Sequence, residues 1–199
     1  MKQKYSEKEV IEFLRESNAI EGVYDDESLK QAKIAWDYLD GEKELNTHVI
    51  LRTHKILMLH QPGLYPNEKG YFRTIPVYIG GKEALPAAIV FERTKILAMN
   101  MWLHPKHWRA HHIEYEKIHP FVDGNGRTGR MFLNWERLRA GLPLLIITEG
   151  ERFDYYKWFN GEREERRNHY IAYALGKNKG MVDEEVIAGT AGELFDRAN

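Results

Sequence analysis

Twelve consecutive residues, His119-Pro120-Phe121-Val122-Asp123-Gly124-Asn125-Gly126-Arg127-Thr128-Gly129-Arg130, bring together an imidazole, a carboxylate, three glycines and two arginines. Those types suit phosphate chemistry. A glycine loop that opens into a helix leaves first-turn N–H groups unpaired and adds the positive end of the helix dipole, so Gly124, Asn125 and Gly126 can form an anion nest. Arg127 and Arg130, three apart, share one face of that first turn and can grip a single polyphosphate. Asp123 is the hard oxygen ligand that Mg2+ takes when phosphates supply its other oxygens. His119, at the end of the preceding helical pattern, titrates near neutral pH and suits a general base taking a proton from a hydroxyl.

The same letters satisfy other motifs, and context decides against them. Gly124 to Gly129 spells the G-x-G-x-x-G of a dinucleotide-binding turn, but no buried strand precedes it and no βαβ unit surrounds it. A P-loop fails because Arg130 replaces its Lys and Met131 its hydroxyl. An EF-hand fails because Thr128 stands where the turn Gly belongs and Asn134 where a bidentate Glu is required.

The elements that must hold these residues read as helical. Ser6 with Glu9 makes a capping box, and Val10, Phe13, Leu14 and Ile20 fall on one face up to Gly22. Asp26 can cap a second helix with Leu29, Ala32, Trp36 and Leu39 inward, ending at Gly41, and a third runs from Thr47 towards Pro62. Residues 61–73 are dense in Gly, Pro and Asn and read as a loop. Thr74-Ile75-Pro76-Val77-Tyr78-Ile79, before Gly80-Gly81, is the one strand or hairpin signal. Helical pattern resumes over 87–102, breaks at His104-Pro105, returns over 108–118, and follows the glycine loop until Gly141 and Pro143. Further helices are expected over 151–160 and 162–175, then an acidic tail. One domain is expected.

Composition excludes several classes. Lys plus Arg, 29, nearly cancels Asp plus Glu, 30, so no global field attracts nucleic acid or an anionic membrane. Zero cysteines exclude disulfides and thiolate metal sites and fit a reducing cytoplasm. No apolar run is long enough to span a bilayer and the amino terminus lacks a signal-peptide core, although an injected effector also lacks one. His104, His107, His111 and His112 resemble a metal cluster, but adjacent histidines on a helix point apart, so surface and packing roles are expected. Tyr155 and Tyr156 read as core or rim aromatics that could border an adenine or accept modification.

The segment from His119 to Arg130 resembles the H-P-F-x-[DE]-G-N-G-R-x-x-R signature of Fic-domain proteins at every specified position. The likeness extends over 47–175, with residues 70–81 similar to the family's flap and 134–145 to its post-motif helix; residues 82–90 depart from the proline-rich form. It implies an all-α, Fic-like helical bundle with a short β-hairpin flap. It further implies transfer of AMP from ATP to a hydroxyl side chain of a target protein, with release of pyrophosphate. His119 would be the base, Phe121 a core anchor, Asp123 the Mg2+ ligand, and Arg127 and Arg130 would bind the β- and γ-phosphates. Gly126, where a kinase-like branch carries Lys, favours AMP transfer.

Ser17-Asn18-Ala19-Ile20-Glu21-Gly22 resembles the family's autoinhibitory [ST]-x-x-x-E-[GN] motif, in which Ser17 and Glu21 belong to helices at 1–41 and Glu21 pairs with Arg130. The tail is 176–199. Thr74, Ile75, Val77, Tyr78 and Ile79 would dock the target by main-chain pairing. Expected partners are ATP and an unidentified protein, with self-modification and a homo-oligomer compatible, and neither nucleic acid nor membrane. Removal of AMP at the same site, with Glu21 orienting water, is an alternative activity. A non-catalytic nucleotide sensor in a regulatory or toxin-antitoxin assembly is an alternative of another class.

Overall fold

The computed structural model describes residues 5–159. The helix expected over 162–175 and the tail at 176–199 lie outside the described residues. Residues up to Tyr155 belong to one compact unit, which holds all of the elements described below except the end of the last helix.

Helix α1 (Glu7–Ile20) begins at the Ser6 capping box, with Ser6 and Glu9 bonded reciprocally, and buries Val10, Phe13 and Leu14. Helix α2 (Asp26–Gly41) is capped one residue earlier than expected: Asp25 accepts the Ser28 N–H at 2.8 Å, which leaves Asp26 as the first helical residue. Helix α3 (Thr47–Leu57) stops short of Pro62, with the Met58 N–H closing onto His54 and Ile56 carbonyls. Residues 58–73 then run as turns, as their Gly and Pro content requires.

The hairpin is shorter and later than the apolar run suggests. Strand β1 (Tyr78–Ile79) pairs antiparallel with β2 (Lys82–Glu83) across Gly80-Gly81. Thr74, Ile75 and Val77 lie outside both strands. Pro76 has no N–H to give a ladder, and Val77 contributes only its carbonyl, which accepts from Ala84 N–H at 2.9 Å.

Helix α4 (Ala87–Leu103) leads through a 3-10 turn at Pro105–His107 into α5 (Trp108–Ile118), and α6 (Asn125–Arg139) follows the glycine loop. A 3-10 turn at Glu149–Glu151 precedes helical residues 152–159. Helix α6 packs against α1, α2, α3 and α5. Every residue from Arg127 to Glu136 is buried, although Arg127, Thr128, Arg130, Asn134 and Glu136 are polar. A polar helix buried on all sides must find partners for those groups within the protein or in a ligand. Around it lie Phe13, Trp36, Met58 and Tyr115, packed with its own Phe132 and Trp135, each worth roughly 2–3 kcal/mol of apolar burial.

Candidate functional site

The loop between α5 and α6 is built from its own side chains. Asn125 Oδ1 accepts the Phe121 N–H and Asn125 Nδ2 donates to the Phe121 carbonyl, each at 2.9 Å. The Asn125 side chain is therefore consumed in closing the loop, and only its backbone is left for an anion. Phe121 is fully buried and stacks on His54, with ring centroids 3.6 Å apart and planes within 4°.

His54 is a site residue that sequence reasoning missed. Its Nδ1 accepts the Gly70 N–H at 2.9 Å, so Nε2 carries the proton and donates to the Asp123 carbonyl at 2.9 Å. Burial pushes its pKa down to about 4, which keeps this bridge neutral.

His119 ends α5 with φ 49° and ψ 64°, the only positive φ at a non-glycine among the described residues. A left-handed backbone there costs about 1–3 kcal/mol and persists only where its surroundings dictate it. Its Nδ1 lies 3.3 Å from the Glu116 carbonyl and 3.7 Å from Glu116 Oε2. A carbonyl can only accept, so Nδ1 bears the proton and Nε2 is the basic nitrogen. Burial outweighs the Glu116 hydrogen bond and lowers the His119 pKa below its ordinary range. Glu116, also unforeseen, is largely buried, with Oε1 lacking a partner and its pKa raised by desolvation to about 8.

The first turn of α6 opens onto a pocket of about 90 Å³ lined by Glu21, His119, Val122 and residues 123–127. No side chain caps this helix, so its first N–H groups face the pocket without an intrahelical acceptor. Arg127 and Arg130 are 3% and 2% exposed, not surface side chains. Arg127 Nη1 donates to Gln61 at 3.1 Å while its buried Nε has no acceptor. Asp123 is half exposed, accepts the Gly124 N–H at 2.7 Å, and places Oδ2 3.6 Å from Arg127 Nη2.

Arg130 is occupied by α1. Its Nε donates to Ser17 Oγ at 2.9 Å, and its Nη2 to the Ser17 carbonyl and to Glu21 Oε1, both at 2.7 Å. Glu21 lies directly over Gly126, where a Cβ would stand 2.2 Å from Glu21 Oε1. The end of α1 is fastened further: the Glu149 N–H donates to Glu16 at 2.7 Å and Tyr24 OH to the Glu149 carboxylate at 2.8 Å.

Other expectations divide. Tyr155 is core, with its hydroxyl 2.8 Å from buried His112, and does not stand open to modification; Tyr156 is partly exposed. His104, His107 and His111 are successive ring neighbours, but no group of three or more His, Asp or Glu that could hold a metal occurs among the described residues. His111 instead pairs with buried Glu136 at 2.5 Å. Tyr78 and Ile79 do form a hairpin strand, whereas Thr74, Ile75 and Val77 supply its stem.

Residues 44–136 match the model of the Fic/DOC family. This stretch is similar to a Fic/DOC domain. Curated relatives include the "protein adenylyltransferase Fic" of Nematostella vectensis, 31% identical over 88% of this chain and 41% of its own length. Another of that name, from Drosophila melanogaster, is 39% identical over 54% of this chain and 23% of its own length. The chain thus spans less than half the length of these relatives. Among solved structures, a Fic-1 fragment from C. elegans aligns with TM-score 0.65 at 20% identity over 86% of this chain and 65% of that one. A Fic-domain signaling protein from Bacteroides thetaiotaomicron aligns with TM-score 0.65 at 19% identity over 75% and 70%. These likenesses establish the helical Fic fold, in which the hairpin is a minor part. No helix among the described residues is long and apolar enough to cross a membrane.

Proposed function

We infer that this chain is a protein adenylyltransferase, moving AMP from ATP to a hydroxyl side chain of a protein, and that Glu21 holds it inactive. The observation that carries the reading is the shared occupancy of Arg130: Ser17 and Glu21 fill the guanidinium that stands beside the open first turn of α6. The names of the curated relatives support the chemistry.

Triphosphate oxygens would be held by the first-turn N–H groups from Asn125 to Arg127, by the unsatisfied Nε of Arg127, and by Arg130 once Glu21 leaves. His119 Nε2 then takes the acceptor's proton as its oxygen attacks the α-phosphorus. The bond to the β-phosphate oxygen breaks and pyrophosphate departs with the electron pair. Asp123 fits Mg2+ as the one carboxylate beside Glu21 in the pocket, with phosphates completing the oxygen shell; the ion would neutralise developing phosphate charge. In this reading 1–41 carries the inhibitory element and 47–175 the transfer core, and the chain acts in the cytoplasm.

The test incubates wild type, Glu21→Gly and Glu21→Gly/His119→Ala with Mg2+ and α-labelled ATP, alone and with host lysate. Strong label with Glu21→Gly, faint label with wild type and none with the double variant is expected. An unlabelled Glu21→Gly that still binds ATP would reject transferase activity and turn attention to AMP removal or nucleotide sensing.

A further inference from the structure

Arg73 is 3% exposed, yet no carboxylate among the described residues lies within ion-pair distance of it. Its acceptors are backbone carbonyls. Nε donates to His119 at 2.7 Å, Nη1 to Ile75 at 3.0 Å, and Nη2 to Ile118 at 3.2 Å and to Leu85. Its own N–H donates to the Pro120 carbonyl at 2.9 Å. One planar fork therefore joins the end of α5, the stem entering the hairpin and the stem leaving it. A cation at the negative end of a helix is favourable without a counter-ion, and the delocalised fork satisfies more carbonyls than an ammonium can.

Two facts give this clamp a function. The hairpin has only two residue pairs, too few to fix its own orientation. His119 carries the one left-handed non-glycine backbone described, and its carbonyl is held by Arg73. We propose that Arg73 is a positioning residue for transfer: it sets the distance between the His119 imidazole and the hairpin edge along which an acceptor segment lies. This rests on the transferase reading above. Its predicted signature is a loss of transfer without a loss of nucleotide binding, because Arg73 touches no group of the anion nest.

The experiment compares Arg73→Lys and Arg73→Ala in the Glu21→Gly background. It measures label transfer in lysate, ADP affinity by calorimetry, thermal midpoint, and the His119 imidazole titration by NMR. Expected are transfer reduced at least tenfold in both variants, ADP affinity within twofold, and partial recovery of Arg73→Ala by added guanidinium ion. Arg73→Ala also raises the His119 pKa in the folded protein, because Arg73 is a positive neighbour of the ring there, beside Glu116 and Asp123, with the Glu21 charge already removed in this background. Unreduced transfer by a folded Arg73→Lys overturns the proposal, as does a loss of transfer and ADP binding that together track the unfolded fraction. If Glu21→Gly itself transfers no label, the transferase reading fails; an unmoved His119 titration in Arg73→Ala would sink the clamp separately.

Discussion

Gly126 shows how one missing side chain organises the site. Glu21 Oε1 occupies the space a Cβ would take, so Gly126→Ala must push the carboxylate off Arg130. Alanine gains roughly 0.5–1 kcal/mol of helix preference over glycine but forfeits a charge-assisted bond. With Glu21 about a third exposed, that bond is worth about 1–2 kcal/mol after screening. A double-mutant cycle with Glu21→Gly, read by urea unfolding, should give a coupling near 1 kcal/mol or more; strictly additive effects would mean that Glu21 does not rest on Gly126. His119, Arg127 and Arg130 were legible in sequence as candidates because their types and spacing fall within one short segment. Arg73, His54 and Glu116 were not. Two of these act on carbonyls 46 and 69 residues away, and such partners leave no local pattern. Glu116 reads as an ordinary helical acid until its burial is seen.

At the scale of elements, amphipathic helices declared themselves through their period, and α1 and α2 carry the caps and glycine stops that fix their ends to within a residue. The central helix was legible as a helix, with its stop at Gly141, but not its burial on every side, because its inward polar groups mimic a solvated face. The hairpin was placed early because an apolar run marks β propensity but not where a proline interrupts the ladder. The segment before it depends on Gly70, with φ +80° and a would-be Cβ 2.5 Å from Lys55 Cβ and 2.9 Å from the Leu51 carbonyl. Gly70→Ala is expected to cost about 2–3 kcal/mol and lower the thermal midpoint by about 5–10 °C. It also moves the Gly70 N–H away from His54. An unchanged midpoint would show that this stem does not pack on α3.

Across the whole molecule, buried titratable groups set opposing pH dependences. Burial depresses His54 and His112 from 6.5 to about 4 and about 3, so their contribution is complete above 6.5 and is lost as pH falls. Burial raises Glu116 and Glu136 from 4.5 to about 8 and about 9, so theirs is complete below 4.5 and is lost as pH rises. Protonated Glu136 then donates to neutral His111. Each group changes stability by about 1.4 kcal/mol per pH unit within its window. The slopes cancel between 4.5 and 6.5, and calorimetry should find the highest midpoint there, with a fall by pH 8.5. A midpoint still climbing from pH 5.5 to 8.5 would contradict this assignment.

Glu21 and Arg130 belong to the same chain, and under the proposed reading this gives their contact a further property. An incoming phosphate competes with a carboxylate whose effective concentration is set by the packing of α1, so dilution of the protein does not release it. A nucleotide that needs Arg130 binds more weakly by the fraction of molecules in which that guanidinium is vacant. Under that proposal, anything that loosens the Glu16 and Tyr24 contacts to Glu149 would act as a dial on nucleotide affinity while leaving every proposed phosphate-binding group where it stands.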